Sequence, residues 1–350
     1  MTEKDTIDVA VLGASGYTGA ELIRLLVHHP RVRLAALGAH AQAGQPLGDV
    51  YPHLALYDLP PLKPIQDIAV DGLDLVFCAL PHATSQEIIR TLPPTLRVID
   101  LSADFRLDDP AVYADWYGGP HQAPALQGEV AYGLTEHARA AIRSKRIIAC
   151  PGCYPTAALL GLIPLLRAGM VDADDIVIDA KSGVTGAGRS VKQQNLFSEV
   201  ADSLSPYGVG RHRHMPEIEQ ELAKAAGRDT LQISFTPHLS PMNRGELLTV
   251  YLKRGKGQAV ADLRHTLEAA YTDEPFVHVL PEGRVPATRD VRGSNHCLIN
   301  VFEDRIASRA ILISTIDNLV KGSSGQAIQN MNVAYGWPET LSLEQAPLFP

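Results

Sequence analysis

The stretch IDVAVLGASGYTGAEL, residues 7–22, decides the fold. Ile7–Gly13 is a short apolar run of the kind that forms a buried strand, and Thr18–His28 has leucines at helical spacing. The turn between them brings free backbone N–H groups to a helix N-terminus, which favours a pyrophosphate. Its G-x-x-G-x-x-G spacing differs by one residue from the commonest dinucleotide-binding pattern, G-x-G-x-x-G. Glycine-rich turns also occur as strand-to-helix connections that bind no ligand. The loop predicts a dinucleotide site built from Gly13, Ser15, Gly16, Tyr17, Thr18 and Gly19.

The end of the second apolar run, Val32–Leu37, should select the cofactor. Sites for NAD place an acidic residue there to bind the ribose hydroxyls, whereas this chain continues Gly38-Ala-His40 without an acid. The missing acid favours NADP, with His40 as a modest anchor for the 2′-phosphate. The alternative is that His40 is an ordinary surface-loop residue.

Further apolar runs alternate with helical segments through the first 150 residues. This alternation predicts right-handed crossovers and a doubly wound parallel sheet, an α/β fold of Rossmann type. Two stretches rich in proline or glycine, 58–64 and 113–124, predict exposed turns. The predicted strands are 32–37, 73–80, 97–101 and 147–149, with a helix at 84–92.

The pattern changes after residue 155. One helix, 155–168, precedes longer strands with alternating polarity, which favours a mixed sheet in an α+β domain. These strands are predicted at 175–181, 231–235, 247–253, 276–280, 297–302 and 306–315, and a final helix at 322–335. We therefore expect an NADP-binding domain of residues 1–152 and 320–350, and an α+β substrate and catalytic domain of residues 153–319.

Cys153 is the candidate nucleophile. The segment 146–150 reads as an apolar strand that ends at Cys150, and a Pro-Gly turn places Cys153 just before a helix that begins near Pro155. At that point the helix dipole and free N–H groups should lower the thiol pKa and favour the thiolate, the competent nucleophile for acyl transfer.

Two other functions fit the Cys-x-x-Cys spacing of Cys150 and Cys153: a redox dithiol, as in a nucleotide-binding sensor, and half of a zinc site. The remaining cysteines, Cys78 and Cys297, form no second pair, which argues against zinc. Cys150 belongs to an apolar strand and is expected to be inert, which argues against the dithiol.

Two histidines precede a helix opened by Pro216, and either can move protons. We favour His214 over His212 as the acid–base group because it is nearer the helix start, with Glu217 close enough to orient it. A metal site of His212 and His214 with Glu217 is a weaker alternative, because the segment offers no convincing third ligand. The other alternative is that these residues form an exposed, charged start of the helix without a catalytic role.

Cationic and polar groups for an anionic substrate follow two predicted strands. Arg106, after the strand 97–101, is the candidate carboxylate clamp because guanidinium binds carboxylate in bidentate geometry. Its alternative role is a salt bridge with Asp104 or Asp108. The glycine-rich loop 181–192 carries Ser182 and Arg189, which could cradle a phosphate or carboxylate.

Composition narrows the class of protein. A net charge of -8 without a basic block argues against nucleic-acid binding. No apolar run approaches the roughly 18 residues of a membrane span, and residues 1–6 lack the features of a signal peptide. Four cysteines in 350 residues are too few for a disulfide scaffold, so we expect reduced thiols in a cytoplasmic protein.

The chain resembles the N-acetyl-γ-glutamyl-phosphate reductase family. The resemblance rests on segments spread in order over nearly the whole chain: GASGYTGAEL (13–22), LPHATS (80–85), DLSADFRL (100–107), PGCYPTAALLGL (151–162), KSGVTGAGR (181–189), HRHMPEIEQ (212–220), TPHLSPMNRG (236–245) and IDNLVKGSSGQAIQNMN (316–332). It implies a Rossmann domain joined to a mixed α+β domain that also serves dimerisation. Through these segments Pro81, Ser182, Gly183 and Asn318 become candidate cofactor-binding residues, and Arg106, Ser182, Arg189 and His212 candidate substrate-binding residues.

The resemblance implies that NADPH reduces N-acetyl-L-glutamyl 5-phosphate to N-acetyl-L-glutamate 5-semialdehyde and phosphate, in arginine biosynthesis. Cys153 would attack the acyl phosphate and His214 would handle the proton, without a metal, in a homo-oligomer (dimer or tetramer). The family usually has a Ser/Arg-like segment where this chain has Gly38-Ala-His40, so the expectation of NADP over NAD rests on the missing acid and on His40. Related reductases of carrier-linked aminoadipyl phosphate or aspartyl phosphate are the alternatives, and the former carry Cys-Asn-Ala-Thr where this chain has Cys153-Tyr-Pro-Thr.

Overall fold

The computed structural model describes residues 6–349, which divide into two compact units. The first unit comprises the chain up to Pro151 together with Ser323–Glu344. The second comprises Gly152–Gly322 and the chain from Gln345 onward. Residues 1–5, on which the signal-peptide argument relied, and residue 350 at the predicted domain limit lie outside the described residues.

The first unit is built on a seven-stranded sheet in which all neighbouring strands are parallel. Its order, β3-β2-β1-β4-β5-β7-β6, confirms the predicted doubly wound, Rossmann-type α/β fold. The strands are β1 (Ile7–Leu12), β2 (Val32–Ala39), β3 (Leu62–Pro64), β4 (Leu75–Cys78), β5 (Arg97–Asp100), β6 (Val130–Tyr132) and β7 (Ile147–Ala149). The helices between them are α1 (Tyr17–Leu26), α2 (Leu47–Val50), α3 (Ser85–Thr91), α4 (Pro110–Tyr117) and α5 (Thr135–Ser144).

The prediction of a plain turn over 113–124 is wrong for its first part, which belongs to α4. The side chain of Asp109 caps this helix by accepting the Ala111 N–H at 2.7 Å, and Pro110 occupies the first helical position. Gly118 ends it with a φ of +76°, a left-handed conformation that favours glycine. The stretch 58–64 is likewise a turn only in part, because its last three residues form β3.

The second unit contains a mixed seven-stranded sheet, which confirms the predicted α+β architecture. In the order β12-β13-β14-β11-β8-β10-β9, the pairs β8–β10 and β12–β13 are parallel and the other pairs are antiparallel. The strands are β8 (Val171–Gly183), β9 (Ser205–Pro206), β10 (Ser234–Ser240), β11 (Glu246–Arg254), β12 (Val277–Val279), β13 (Cys297–Glu303) and β14 (Arg309–Ile316). The helices are α6 (Cys153–Arg167), α7 (Phe197–Val200), α8 (Met215–Ala226) and α9 (Val260–Tyr271).

The predicted strand at 231–235 is displaced toward the C-terminus. Leu231 and Ile233 are buried, which produced the apolar signal, but the ladder with β8 begins at Ser234 and continues to Ser240. Burial outside a strand therefore imitated a strand pattern here.

The last helix, α10 (Gly325–Ala334), belongs to the first unit, where it packs against α5. It follows a π-helical turn, Val320–Ser324, so the regular helix starts three residues later than predicted. Its buried amides are used as structural donors and acceptors. Asn330 donates to the Gly133 carbonyl at 2.8 Å, and Asn332 bonds the His29 ring at 3.0 Å.

Helix α6 contains a proline that its surroundings compensate. Pro164 has no N–H, so it cannot donate to the carbonyl of Leu160 four residues earlier. The hydroxyl of Tyr271 on α9 donates to that carbonyl instead, at 2.5 Å. Both residues are buried, so this hydroxyl satisfies an acceptor that water does not reach.

We predict that Tyr271→Phe lowers the free energy of unfolding by about 1–3 kcal/mol, because it leaves the Leu160 carbonyl buried without a donor. Denaturant melts measure the loss. In a Pro164→Ala background the restored N–H can serve this carbonyl, so the same substitution should cost less. Equal costs in both backgrounds would show that the hydroxyl does not compensate for the proline.

Candidate active site

Cys153 is the first residue of α6, preceded by Gly152 in an extended conformation as the N-cap. The thiol-bearing residue is half-buried, whereas the next thirteen residues of the helix are buried. A side chain at this position lies beside unsatisfied N–H groups and the positive end of the helix dipole. The helix therefore fixes the thiol in a setting that suits a nucleophile.

The N-terminus of α6 is tied to α8 by a buried carboxylate. Glu217 Oε1 accepts the N–H of Gly152 at 2.9 Å. On the other side of the same residue, the Gly152 carbonyl accepts both the N–H and the hydroxyl of Thr156 at 2.9 Å. Glu217 was predicted to orient His214, and its role in the structure includes anchoring the turn that carries Cys153.

Gly322 leaves the space in which Cys153 sits. A Cβ added at Gly322 would lie 2.8 Å from the Cβ and 3.2 Å from the Cα of Cys153. Neither atom can move away by side-chain rotation. The absence of a side chain at Gly322 is therefore a requirement of the nucleophile's position.

We predict that Gly322→Ala displaces Cys153 and reduces turnover by about 10²-fold, as misplacement of a reacting group by about 1 Å can do. The rate of Cys153 alkylation by iodoacetamide and the steady-state rate measure the effect. Gly128→Ala is the matched control, because nothing lies within 4 Å of a Cβ at Gly128. Unchanged alkylation and turnover in Gly322→Ala would contradict the packing argument.

Glu246, which sequence reasoning missed, lies against the nucleophile. It is the first residue of β11 and is fully buried, and the Cys153 thiol interacts with its carboxyl. Burial raises the pKa of this carboxyl to about 8; the interaction with Cys153 lowers it and the charge of Asp317 raises it further. Its sequence signal was the alternation of β11, in which Glu246 is in phase with buried Leu248 and Val250.

The two histidines differ in their environments. His212 is held neutral at pH 7, because burial and then the nearby Arg213 lower its pKa to about 4, and its Nδ1 accepts the His214 N–H at 3.1 Å. His214 is the N-cap of α8, and its ring centroid lies 5.9 Å from that of Tyr154. A neutral His212 is a poor proton donor, which supports His214 as the acid–base candidate.

Two tyrosine hydroxyls accompany the histidines. Tyr207 donates to the Tyr154 hydroxyl at 3.1 Å, and Tyr154 donates to the His238 carbonyl at 3.4 Å. Burial raises the pKa of both hydroxyls, so they are neutral at physiological pH. Sequence reasoning did not single out either tyrosine.

The structure brings Ser182, Gly183 and Asn318 close to Glu246. Ser182 is the register partner of Glu246 between β8 and β11. Asn318 accepts the N–H of Gly245 at 2.9 Å, and its amide donates to Thr185 Oγ1 at 3.0 Å. A Cβ at Gly183 would meet the backbone of residues 243–244 at 2.7–2.9 Å, so this glycine permits close packing of two loops. Arg189 lies on the exposed part of the same glycine-rich loop.

In the first unit, the three glycines of the dinucleotide loop have different surroundings. A Cβ at Gly13, whose φ is +90°, would lie 2.2 Å from the Ala79 carbonyl oxygen, and a Cβ at Gly19 would lie 2.3 Å from the Gly13 oxygen. Gly16, the N-cap of α1, meets nothing closer than 3.5 Å. Gly13 and Gly19 thus serve the turn and the helix packing, while Gly16 leaves its backbone open to a ligand.

The other candidates of the first unit lie at the carboxyl ends of its strands. His40 directly follows β2, and Pro81 follows β4; both are exposed. Since β2, β1 and β4 are adjacent and parallel, the two residues flank the glycine loop at one edge of the sheet. Arg106 is buried, and its guanidinium donates to the carbonyls of Cys150 at 2.8 Å and Leu101 at 3.0 Å. These bonds fix the guanidinium at the same edge.

Cys150 has the environment of an inert core cysteine. It is buried, its Sγ accepts the Asn330 amide at 3.6 Å, and burial raises the pKa of its thiol to about 12. These features argue against a dithiol redox pair with Cys153. Among residues 6–349, no cluster of three or more His, Cys, Asp or Glu side chains is placed to hold a metal ion. Nor is any helix in that range long and apolar enough to cross a membrane.

Comparison with known proteins identifies the family. Residues 8–145 match the semialdehyde dehydrogenase NAD binding domain, and residues 153–318 match the semialdehyde dehydrogenase dimerisation domain. The N-acetyl-gamma-glutamyl-phosphate reductase of Rhodospirillum rubrum is 58% identical over 100% of both chains. The chain belongs to the N-acetyl-gamma-glutamyl-phosphate reductase family.

Two further matches show the range of this reductase family and its fold. The probable chloroplastic N-acetyl-gamma-glutamyl-phosphate reductase of Arabidopsis thaliana is 54% identical over 99% of this chain and 86% of its own length. The crystal structure of aspartate semialdehyde dehydrogenase with NADP from Candida albicans superimposes with a TM-score of 0.66, covering 95% of this chain and 99% of the other, at 18% identity. The second match shows that the fold extends well beyond the reductases.

Proposed function

We propose that the protein reduces N-acetyl-L-glutamyl 5-phosphate with NADPH, giving N-acetyl-L-glutamate 5-semialdehyde, phosphate and NADP, through a thioester on Cys153. The reaction belongs to arginine biosynthesis. The observation that carries this proposal is the half-buried thiol at the first residue of α6, in a chain that matches named reductases over its whole length. A reductase of aspartyl or carrier-linked aminoadipyl phosphate is the alternative, and the comparison with reductases more than 50% identical argues against it.

The glycine loop of the first unit fits a dinucleotide. Gly16 opens α1 with no neighbouring atom within 3.5 Å of the space above its Cα, so a pyrophosphate can approach the N–H groups there. We propose that Gly13, Ser15, Gly16, Tyr17, Thr18 and Gly19 hold the phosphates, with His40, Pro81, Ser182, Gly183 and Asn318 as further cofactor contacts. When bound, NADPH supplies the hydride. The NADP in the Candida albicans structure and the missing acid after β2 support NADP over NAD.

Cys153 forms the acyl intermediate in this scheme. Its sulfur attacks the acyl carbon, phosphate leaves, and the thioester is then reduced to the aldehyde. Glu217 holds the Gly152 amide and so fixes the turn that presents the sulfur. His214 donates a proton to an oxygen of the leaving phosphate or of the tetrahedral intermediate, a role that neutral His212 is less suited to perform.

The substrate is a small anion, and the protein has an overall charge of -8, so local cations must bind it. We propose Arg106 and Arg189 as the cationic contacts. Ser182 and His212 would add hydrogen bonds, His212 as a neutral imidazole. The hydrogen bonds of Arg106 to two carbonyls support this role by holding its guanidinium in a defined orientation.

We further propose that the protein is a homo-oligomer, a dimer or tetramer, and that it acts in the cytoplasm. The match of residues 153–318 to a dimerisation domain supports the first part. Four free cysteines, three of them buried, are consistent with a reducing compartment.

The decisive assay follows NADP reduction with N-acetylglutamate semialdehyde and phosphate. We predict phosphate-dependent turnover, a higher kcat/KM than with aspartate semialdehyde, and a preference for NADP over NAD. Cys153→Ser should abolish turnover while the protein stays folded, and Cys150→Ala should change it little because that thiol is buried and inert. Turnover by Cys153→Ser, or its loss in Cys150→Ala, would contradict the thioester mechanism.

The glycine loop gives a second test. We predict that Gly16→Ala weakens NADP binding with little change in the melting temperature, because its Cβ occupies ligand space. Gly19→Ala should instead lower the melting temperature, because its Cβ meets the Gly13 oxygen at 2.3 Å. Fluorescence titration with NADPH and thermal melts measure the two effects. Unchanged NADPH affinity in Gly16→Ala would contradict the proposal that this loop binds the cofactor.

A further inference from the structure

Glu246 is buried beside the nucleophile in a way that stability does not explain. Neither of its oxygens has a hydrogen-bond partner among the described residues 6–349, and the thiol of Cys153 is the polar group that interacts with it. Asp317, equally buried nearby, accepts the N–H groups of Gly293, Leu319 and Val320. A buried carboxyl without such donors costs free energy, which suggests a functional reason for its position.

We propose that Glu246 is a catalytic residue that accepts the proton of the Cys153 thiol during acylation and returns it when the aldehyde is released. This inference rests on the proposed function, whose chemistry requires a thiolate at Cys153. A nucleophile with a base beside it is the arrangement expected for covalent catalysis.

The proton and the bonds balance over one turnover. As the sulfur–carbon bond forms, the S–H proton of Cys153 passes to the Glu246 carboxylate, and the carbon–oxygen bond to phosphate breaks with its electron pair on phosphate. Bound NADPH would supply the hydride that reduces the thioester carbon; the resulting oxyanion then reforms the carbonyl as the carbon–sulfur bond to Cys153 breaks. The sulfur then recovers its proton from Glu246, and both residues return to their initial states.

Burial makes this transfer feasible. Moving the proton from sulfur to carboxylate shifts one negative charge between neighbouring atoms and adds no charge to the buried site. Burial raises the pKa of Glu246 to about 8, which makes its carboxylate a stronger base toward a thiol. An exposed glutamate would be a much weaker base.

The charged and titratable groups around Glu246 come from several elements. Cys153 faces it from α6, and Asp317 acts on it from the turn after β14 and itself pairs with Arg244 at 3.7 Å. The hydroxyls of Tyr154 and Tyr207 also feel its charge, and both stay neutral. Arg244, the cation among these groups, pairs with Asp317, so it does not hold Glu246 in its ionised form.

The test is the rate of Cys153 alkylation by iodoacetamide at pH 7.5 in Glu246→Gln. If Glu246 is the base, we expect alkylation about 10²-fold slower than in the native protein, recovering only at higher pH. If Glu246 acts only as a buried negative charge, its removal should favour the thiolate, and alkylation should become faster. The two roles thus predict opposite signs, and equal or faster alkylation overturns the proposal.

Glu219→Gln is the matched control, because Glu219 is a partly buried carboxylate of α8 whose pKa is also raised by burial and whose hydrogen bond is to the Ile233 N–H. It should alkylate at the native rate, and a slowing as large as that of Glu246→Gln would overturn the assignment. Glu246→Asp keeps a carboxylate but withdraws it, so we expect an intermediate rate. This variant decides the question if Glu246→Gln does not fold, and a native rate would count against the proposal.

The alkylation assay needs no acyl substrate. It therefore separates the failure of this inference from the failure of the proposed function. Slow alkylation in Glu246→Gln, with no turnover of N-acetylglutamate semialdehyde by the native protein, would support Glu246 as the base and contradict the proposed substrate. Turnover of this substrate by the native protein, with fast alkylation in Glu246→Gln, would support the proposed function and contradict Glu246 as the base.

Discussion

The hydrogen bond from the Gly152 N–H to Glu217 is the interaction on which the site depends. It joins the N-termini of α6 and α8, so one carboxylate sets where both the nucleophile and the neighbouring histidine begin their helices. A buried hydrogen bond to a carboxylate is worth about 1.5–3 kcal/mol, so its loss would loosen the turn that carries Cys153. Because most residues of α6 are buried, the helix is fixed by packing, and the bond fixes the turn that precedes it.

Burial then sets the protonation states around that anchor. It lowers the pKa of His212 and raises those of Tyr154 and Tyr207, so that these three groups are neutral near pH 7. It raises the pKa of Glu246 to about 8, so that a fraction of this group is ionised carboxylate near neutral pH. Because the folded protein raises the pKa of Glu246 above its ordinary value, this group contributes stability that is full below about pH 4.5 and is lost as pH rises through about 8. The protein thus accepts a stability penalty near neutral pH at the position where a base is useful.

The sequence predicted those features that depend on local pattern. The glycine loop, the apolar runs of the parallel sheet and the cysteine before a helix are each visible within about ten residues. Glu246 and Gly322 were missed, although both contact Cys153, because they lie 93 and 169 positions away from it along the chain. Only the pairing of β11 with β8 and β14 and the π-helical turn bring them to the nucleophile. Strand alternation did carry a signal for Glu246. A glutamate in phase with buried leucine and valine is predicted to be buried, and glutamate is rarely buried without a partner or a function.

Cys150 and Cys153 show how position decides the chemistry of one residue type. Cys150 follows β7 in the first unit, where burial raises the pKa of its thiol and its sulfur accepts a hydrogen bond from the Asn330 amide. Cys153, three residues later, opens a helix, remains half-buried and faces a carboxylate. A thiol in apolar surroundings stays protonated, whereas a thiol beside a buried carboxylate can pass its proton to that carboxylate and take it back. In the proposed mechanism the reactivity therefore belongs to the pair of Cys153 and Glu246, not to the cysteine alone.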